Sequence, residues 1–76
     1  MTLLRWIDSF SDNLQSLMKE KNVSQNELSK RSGISIGSIN AYLRKQSPPG
    51  VKAIVNIAYA LDVSTDDLID FGDVIE

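Results

Sequence analysis

The stretch Gln25–Tyr42, QNELSKRSGISIGSINAY, decides the fold. Ser24 precedes it and Glu27 stands three residues further on. That is the pattern of a capping box, in which the serine hydroxyl accepts from the third amide of the helix and the carboxylate returns the bond. A helix is therefore predicted over about 24–31. Gly33 stops it, because glycine enters the left-handed conformation without steric cost. Ser35 follows Gly33-Ile34 and caps a second helix, predicted over 35–45. Ser29 is small where the two helices must approach closely. Ile39 and Tyr42 are spaced to point back into a core.

Working outward, the same two signals, cap and apolar period, recur on both sides. Upstream, Leu14, Leu17 and Met18 share one face of a helix predicted over about 9–21, started by Ser9 or Ser11 and stopped by Asn22. Val23 and Leu28 flank the next start as a hydrophobic staple. Leu3, Ile7, Phe10 and Leu14 are spaced 3 and 4 apart, so the first helix either extends backward or follows another short one. Downstream, Pro48-Pro49-Gly50 makes a turn. Ile54, Ile57, Ala58 and Leu61 then form the stripe of a helix over 50–61, stopped by Asp62. Ser64 opens a last helix over 65–70, with Asp66 and Asp67 at the positive end of its dipole. No segment alternates like a strand. The expectation is an all-α, five-helix single domain over 1–76, with a core at 9–70, an N-terminal apolar segment at 1–8 and an acidic tail at 71–76.

Composition narrows the function. The chain has no Cys and no His, so disulfide and zinc staples are excluded, and catalysis lacks two of its usual groups. No Gly-rich phosphate loop occurs, and the carboxylates lack metal-ligand spacing. No enzymatic activity, metal or cofactor is expected. No apolar run approaches the ~20 residues of a membrane span. The first ten residues do not read as a signal peptide, so a cytoplasmic protein is expected. The net charge of −2 conceals an asymmetry. Seven Lys and Arg against two Glu give residues 19–52 a charge of +5, whereas residues 53–76 carry six carboxylates and no base. The middle of the chain can therefore face a polyanion although the whole is acidic.

The spacing over Gln25–Tyr42 (small residue, Gly four later, apolar six after that and again three further) is that of a helix-turn-helix, although any compact pair of helices can share it. Beyond the spacing, residues 13–69 resemble the Cro/phage-repressor (C1-type) helix-turn-helix family, which has a compact lambda-repressor-like fold. The residues that carry the resemblance are Leu14, Leu17, Asn22-Val23-Ser24-Gln25, Glu27-Leu28, Gly33, Ser38-Ile39 and Tyr42. Ile57-Ala58-Tyr59-Ala60-Leu61-Asp62-Val63-Ser64 followed by Asp67-Leu68 matches the family's last helix junction. Lys45 and Asp62 stand where the family often has Gly. Met18 and Leu43 stand where many members pair an Arg with a Glu. The joint replacement of a buried ion pair by two hydrophobes is tolerated where a single replacement is not, so Met18 is expected to meet Leu43.

The resemblance implies a sequence-specific double-stranded DNA-binding transcriptional regulator, a phage- or plasmid-type repressor that binds an operator as a homodimer through helix 35–45. It places Ser35, Ile36, Gly37, Asn40 and Ala41 nearest the base edges. Asn40 has the groups for a bidentate contact to adenine, and Ile36 can offer apolar contact to a thymine methyl. Phosphate contacts are expected from Gln25, at a helix N-terminus, and from Asn26, Ser38, Arg44, Lys45 and Gln46. Dimer contacts are expected from the last helix, the tail around Phe71 and Val74, or the N-terminal segment. The rival reading is a protein-interaction module or antitoxin of the same fold, with Trp6, Ile7 and Phe10 as its partner surface. An RNA binder is a further alternative, weakened by the lack of stacking aromatics.

Overall fold

The computed structural model describes the backbone of residues 2–69 and the side chains of residues 7–69. The side chain of Trp6, Asp70 and the tail with Phe71 and Val74 lie outside the described residues. Five helices follow in order: α1 (Thr2–Lys21), α2 (Gln25–Ser32), α3 (Ile36–Leu43), α4 (Val51–Leu61) and α5 (Thr65–Leu68). No strand occurs among the described residues. The first four helices each end on a left-handed residue: Asn22 (φ 57°), Gly33 (φ 76°), Lys45 (φ 62°) and Asp62 (φ 58°). At three of them the next amide reaches back across the turn, Val23 to the Met18 carbonyl, Gln46 to Ala41 and Val63 to Ala58, each at 2.9 Å. These bonds satisfy carbonyls that the helix end would otherwise leave open.

Three boundaries differ from the sequence expectation by two residues or more; one is the end of α5, which stops at Leu68 and not at 70 because Ile69 is extended. Ser9 and Ser11 do not start α1; both lie inside it, and the helix reaches back to Thr2. The apolar spacing through Ile7, Phe10 and Leu14 is continuous, so a start at Ser9 would have broken a stripe that burial rewards. Ser11 is 2% exposed and its hydroxyl donates to the Tyr42 carbonyl at the end of α3. Helix α3 also stops two residues early, at Leu43, because Lys45 is left-handed.

Phe10, Leu14, Leu28, Ile39, Ile57, Leu61 and Leu68 are fully buried, and Met18, Val23, Ile54, Ala58 and Ile69 close the core around them. Leu43 packs half-buried against the cluster that contains Met18. Phe10 is a correction to the proposed partner surface. It is 0% exposed, with its ring edge-on to Tyr42 at 6.1 Å between centroids and 78° between planes. It therefore offers nothing to a partner, while Ile7 is half-buried. α2 packs on α3 and α4, and α1 packs on α3 and α5. The Asn13 amide donates to the Leu68 carbonyl at 3.0 Å and ties α1 to the end of α5. No described helix is long and apolar enough to cross a membrane.

A domain of this size has about 3–5 kcal/mol of net stability, and truncating a buried Phe removes about 3–5 kcal/mol. Phe10→Ala should therefore be largely unfolded in a urea titration followed by circular dichroism. Tyr59→Ala, at a residue that is 87% exposed, should shift stability by no more than about 0.5 kcal/mol. A Phe10→Ala protein that keeps its urea midpoint would place Phe10 outside the core.

Candidate nucleic-acid interface

The turn between α2 and α3 is held by its own side chains. Gly33 donates its amide to the Ser29 carbonyl at 2.9 Å. The Ser29 hydroxyl donates to the Ile34 carbonyl at 2.6 Å, and the Ser32 hydroxyl accepts from the Ile34 amide at 3.2 Å. Both polar backbone groups of Ile34 are thus engaged while its side chain packs half-buried against the core. The sequence marks Ser29 for its small size only; its hydroxyl matters as well, and Ser rather than Ala at that position was the available signal.

The two helix starts are set by serines. Ser24 accepts from the Glu27 amide at 3.1 Å. The return arm of the expected capping box is absent. The Glu27 carboxylate instead accepts from Arg31 at 2.6 Å, one turn along the helix, where Glu and Arg at i and i+4 are natural neighbours. Ser35 accepts from the Ser38 amide at 3.2 Å, and its hydroxyl donates to that of Ser38 at 3.0 Å. The first residue of α3 is therefore fixed from within.

Helical geometry sorts the rest of α3. At 3.6 residues per turn, Ile36, Asn40, Arg44, Gly37 and Ala41 fall within an arc of about 140°. Ile36, Gly37, Asn40 and Arg44 on that arc are exposed and Ala41 is half-buried, while Ile39 on the other side is fully buried. Ser35 is exposed at the N-cap. Gln25 (half-buried) and Asn26 (exposed) stand at the N-terminus of α2, Ser38 is half-buried, and Lys45 and Gln46 are exposed in the turn after α3. The expected base-reading residues thus share one helix, with the expected phosphate donors before, within and after it. Ile36 is 45% exposed, the large apolar side chain on that face.

The cations divide by whether they are occupied. Arg44 pairs with none of the described residues. Lys45 reaches across to α1, with Nζ 3.3 Å from Asp12 Oδ1 and 3.9 Å from Asp8 Oδ1. No spacing in the sequence announces that contact. Away from α3, Val51, Ile54, Val55, Thr65 and Ile69 line an apolar groove between α4 and α5, and Val51 is 79% exposed. Among the described residues no group of carboxylates could hold a metal ion.

Comparison with known proteins agrees with this architecture. A family model described as helix-turn-helix matches residues 14–68. Over 60 residues, 79% of the chain, the sequence is 35% identical to the uncharacterized HTH-type transcriptional regulator YqaE of Bacillus subtilis. The matched stretch is 52% of that relative, so the chain spans about half its length. The fold is similar to the restriction-modification controller protein C.AhdI from Aeromonas hydrophila, with a TM-score of 0.79 and 27% identity over 83% of this chain and 96% of that one. It is also similar to a helix-turn-helix transcriptional regulator from Vibrio cholerae, with a TM-score of 0.84 over 95% of this chain and 40% of the other. At 18% identity that second likeness concerns the fold alone.

The two glycines of the unit separate by substitution. A Cβ at either Gly33 or Gly37 would meet nothing within 4 Å, but only Gly33 has a positive φ. Gly33→Ala should lower stability by about 1–2 kcal/mol, the penalty for a side chain in the left-handed region. Gly37→Ala should raise it by about 0.5–1 kcal/mol, the usual gain inside a helix. Urea midpoints moving in the same direction for both would contradict this assignment.

Proposed function

Because the chain belongs to the helix-turn-helix family, we propose that it is a sequence-specific double-stranded DNA-binding transcriptional regulator, a repressor of phage or plasmid type that occupies its operator as a homodimer. The observation that carries this reading is the exposed face of α3. Ile36, Gly37 and Asn40 are exposed there, although Ile36 is apolar and Gly37 weakens the helix. Each is explained by a groove. Asn40 presents donors and an acceptor that match adenine N7 and N6, and Ile36 offers an apolar contact to a thymine methyl. Gly37 and Ala41 let the backbone approach, and Ser35 contacts bases from the start of the helix. Gln25 and Asn26 meet phosphate at the N-terminus of α2, where exposed amides favour an anion. Ser38, Arg44 and Gln46 hold the other side of the site. Lys45 stands in the same turn, but its ammonium faces Asp12 and Asp8, so it is not counted among the phosphate contacts. The protein would act in the cytoplasm, where its operator is.

The eight residues of α3 reach only a few base pairs, and a net charge of −2 makes non-specific attraction weak. Pairing two copies on half-sites ~34–36 Å apart supplies the missing affinity and specificity. The apolar groove of α4 and α5, remote in sequence from α3, is the seat we assign to the second copy. The rival reading as a protein-interaction module is weakened, because Phe10 is in the core.

Selection from a randomised duplex library should yield a preferred sequence with two-fold symmetry. Asn40→Ala should cost about 1–3 kcal/mol on it and relax preference at one position of each half-site. Arg44→Ala should weaken all duplexes alike and reduce the salt slope by about 0.9 per protomer. No duplex binding at low salt would overturn the DNA reading. Separately, Val55→Asp should convert a dimer to a monomer in sedimentation equilibrium. A wild-type protein that is monomeric both free and on its selected duplex would remove the dimer.

A further inference from the structure

Lys45 is the anomaly of the recognition end. Of the four left-handed helix stops, the others are Asn22, Gly33 and Asp62. Those residue types adopt the conformation readily, whereas a long side chain does so at a cost. The turn is nevertheless firmly made, with Lys45 donating to the Tyr42 carbonyl at 3.2 Å and Gln46 to that of Ala41 at 2.9 Å. The backbone therefore fixes where the Lys45 side chain departs. On the other side, α1 is fixed against this same turn by the buried Ser11 hydroxyl on the Tyr42 carbonyl. Asp8 and Asp12 are one helical turn apart and flank Ser11 on that helix. The lysine and the two carboxylates thus come from two elements locked together, and they meet at 3.3 and 3.9 Å.

The charges of this cluster do not cancel. One ammonium faces two carboxylates, so the group carries a net charge of −1 at the end of α3, where an unpaired Lys45 would carry +1. Resting on the DNA-binding reading above, we propose that Asp8 and Asp12 act as internal substitutes for phosphate. They hold Lys45 away from the DNA backbone, and the cluster lowers affinity for DNA of any sequence. Arg44, adjacent in the chain and unpaired with any described residue, remains as the phosphate contact of that turn. The cluster is then a determinant of specificity. It removes sequence-independent attraction and leaves a larger share of the binding energy to Asn40 and Ile36, since phosphate contacts carry no sequence information.

The test is a cycle of four proteins on a random-sequence duplex of about 24 base pairs, titrated at several salt concentrations: wild type, Lys45→Ala, Asp8→Asn/Asp12→Asn, and the triple variant. All the altered side chains are at least 42% exposed, and circular dichroism checks that each variant is folded. The Asp8→Asn/Asp12→Asn protein should bind with a slope steeper by about 0.9 per protomer, and roughly five- to tenfold more tightly at about 0.1 M salt. Lys45→Ala alone should leave the wild-type slope unchanged, and in the triple variant it should abolish the gain. A gain that survives Lys45→Ala would show general repulsion by the carboxylates and overturn the proposal. So would a wild-type slope that flattens by about 0.9 in Lys45→Ala, since Lys45 would then already be on phosphate. Duplex binding with all four proteins on one slope removes this inference alone. No binding by any of them removes the DNA reading together with it.

Discussion

A single buried hydroxyl joins the middle of α1 to the end of α3. Ser11, buried in the middle of α1, donates to the carbonyl of Tyr42, and the ring of Phe10 beside it meets the ring of Tyr42 edge-on. That junction ties the two helices together beside the Lys45 turn. A buried serine without its partner would leave a desolvated polar group in a core too small to absorb it. The hydrogen bond therefore excludes other placements of α1 more than it adds to net stability.

Much of the fold was legible because its signals are local. Asn22, Gly33 and Asp62 each suit a left-handed helix end, and each is found in one. Val23 with Leu28, and the stripe Ile54, Ile57, Ala58 and Leu61, reach the core as their spacing requires. The misreadings arose where one residue type serves two purposes. Serine is both a cap and a small helical residue, so Ser9 and Ser11 looked like a start and lie inside α1. Glu27 had two partners within reach, the Ser24 amide and Arg31, and only packing and solvent decide between them. Phe10 was ambiguous for a similar reason: an apolar stripe shows that a face is buried but not by what.

The site divides in the same way. A period of 3.6 residues suffices to separate Ile36, Gly37 and Asn40 from Ile39 on α3, and the structure keeps them apart. The state of Lys45 was not legible, because its partners are 33 and 37 residues away on another helix. Contacts of that kind depend on how elements cross, and no residue pattern encodes a crossing directly.

The clip that Ser29 and Ser32 place on Ile34 has an entropic consequence. A turn whose backbone groups were left to water would sample several orientations, and α3 would have to be frozen into one of them on meeting a ligand. Here the donor and the acceptor of Ile34 are both satisfied internally, and its side chain is packed against the core. The helix is therefore preorganised, and the ordering penalty for that segment is met during folding and not again at association.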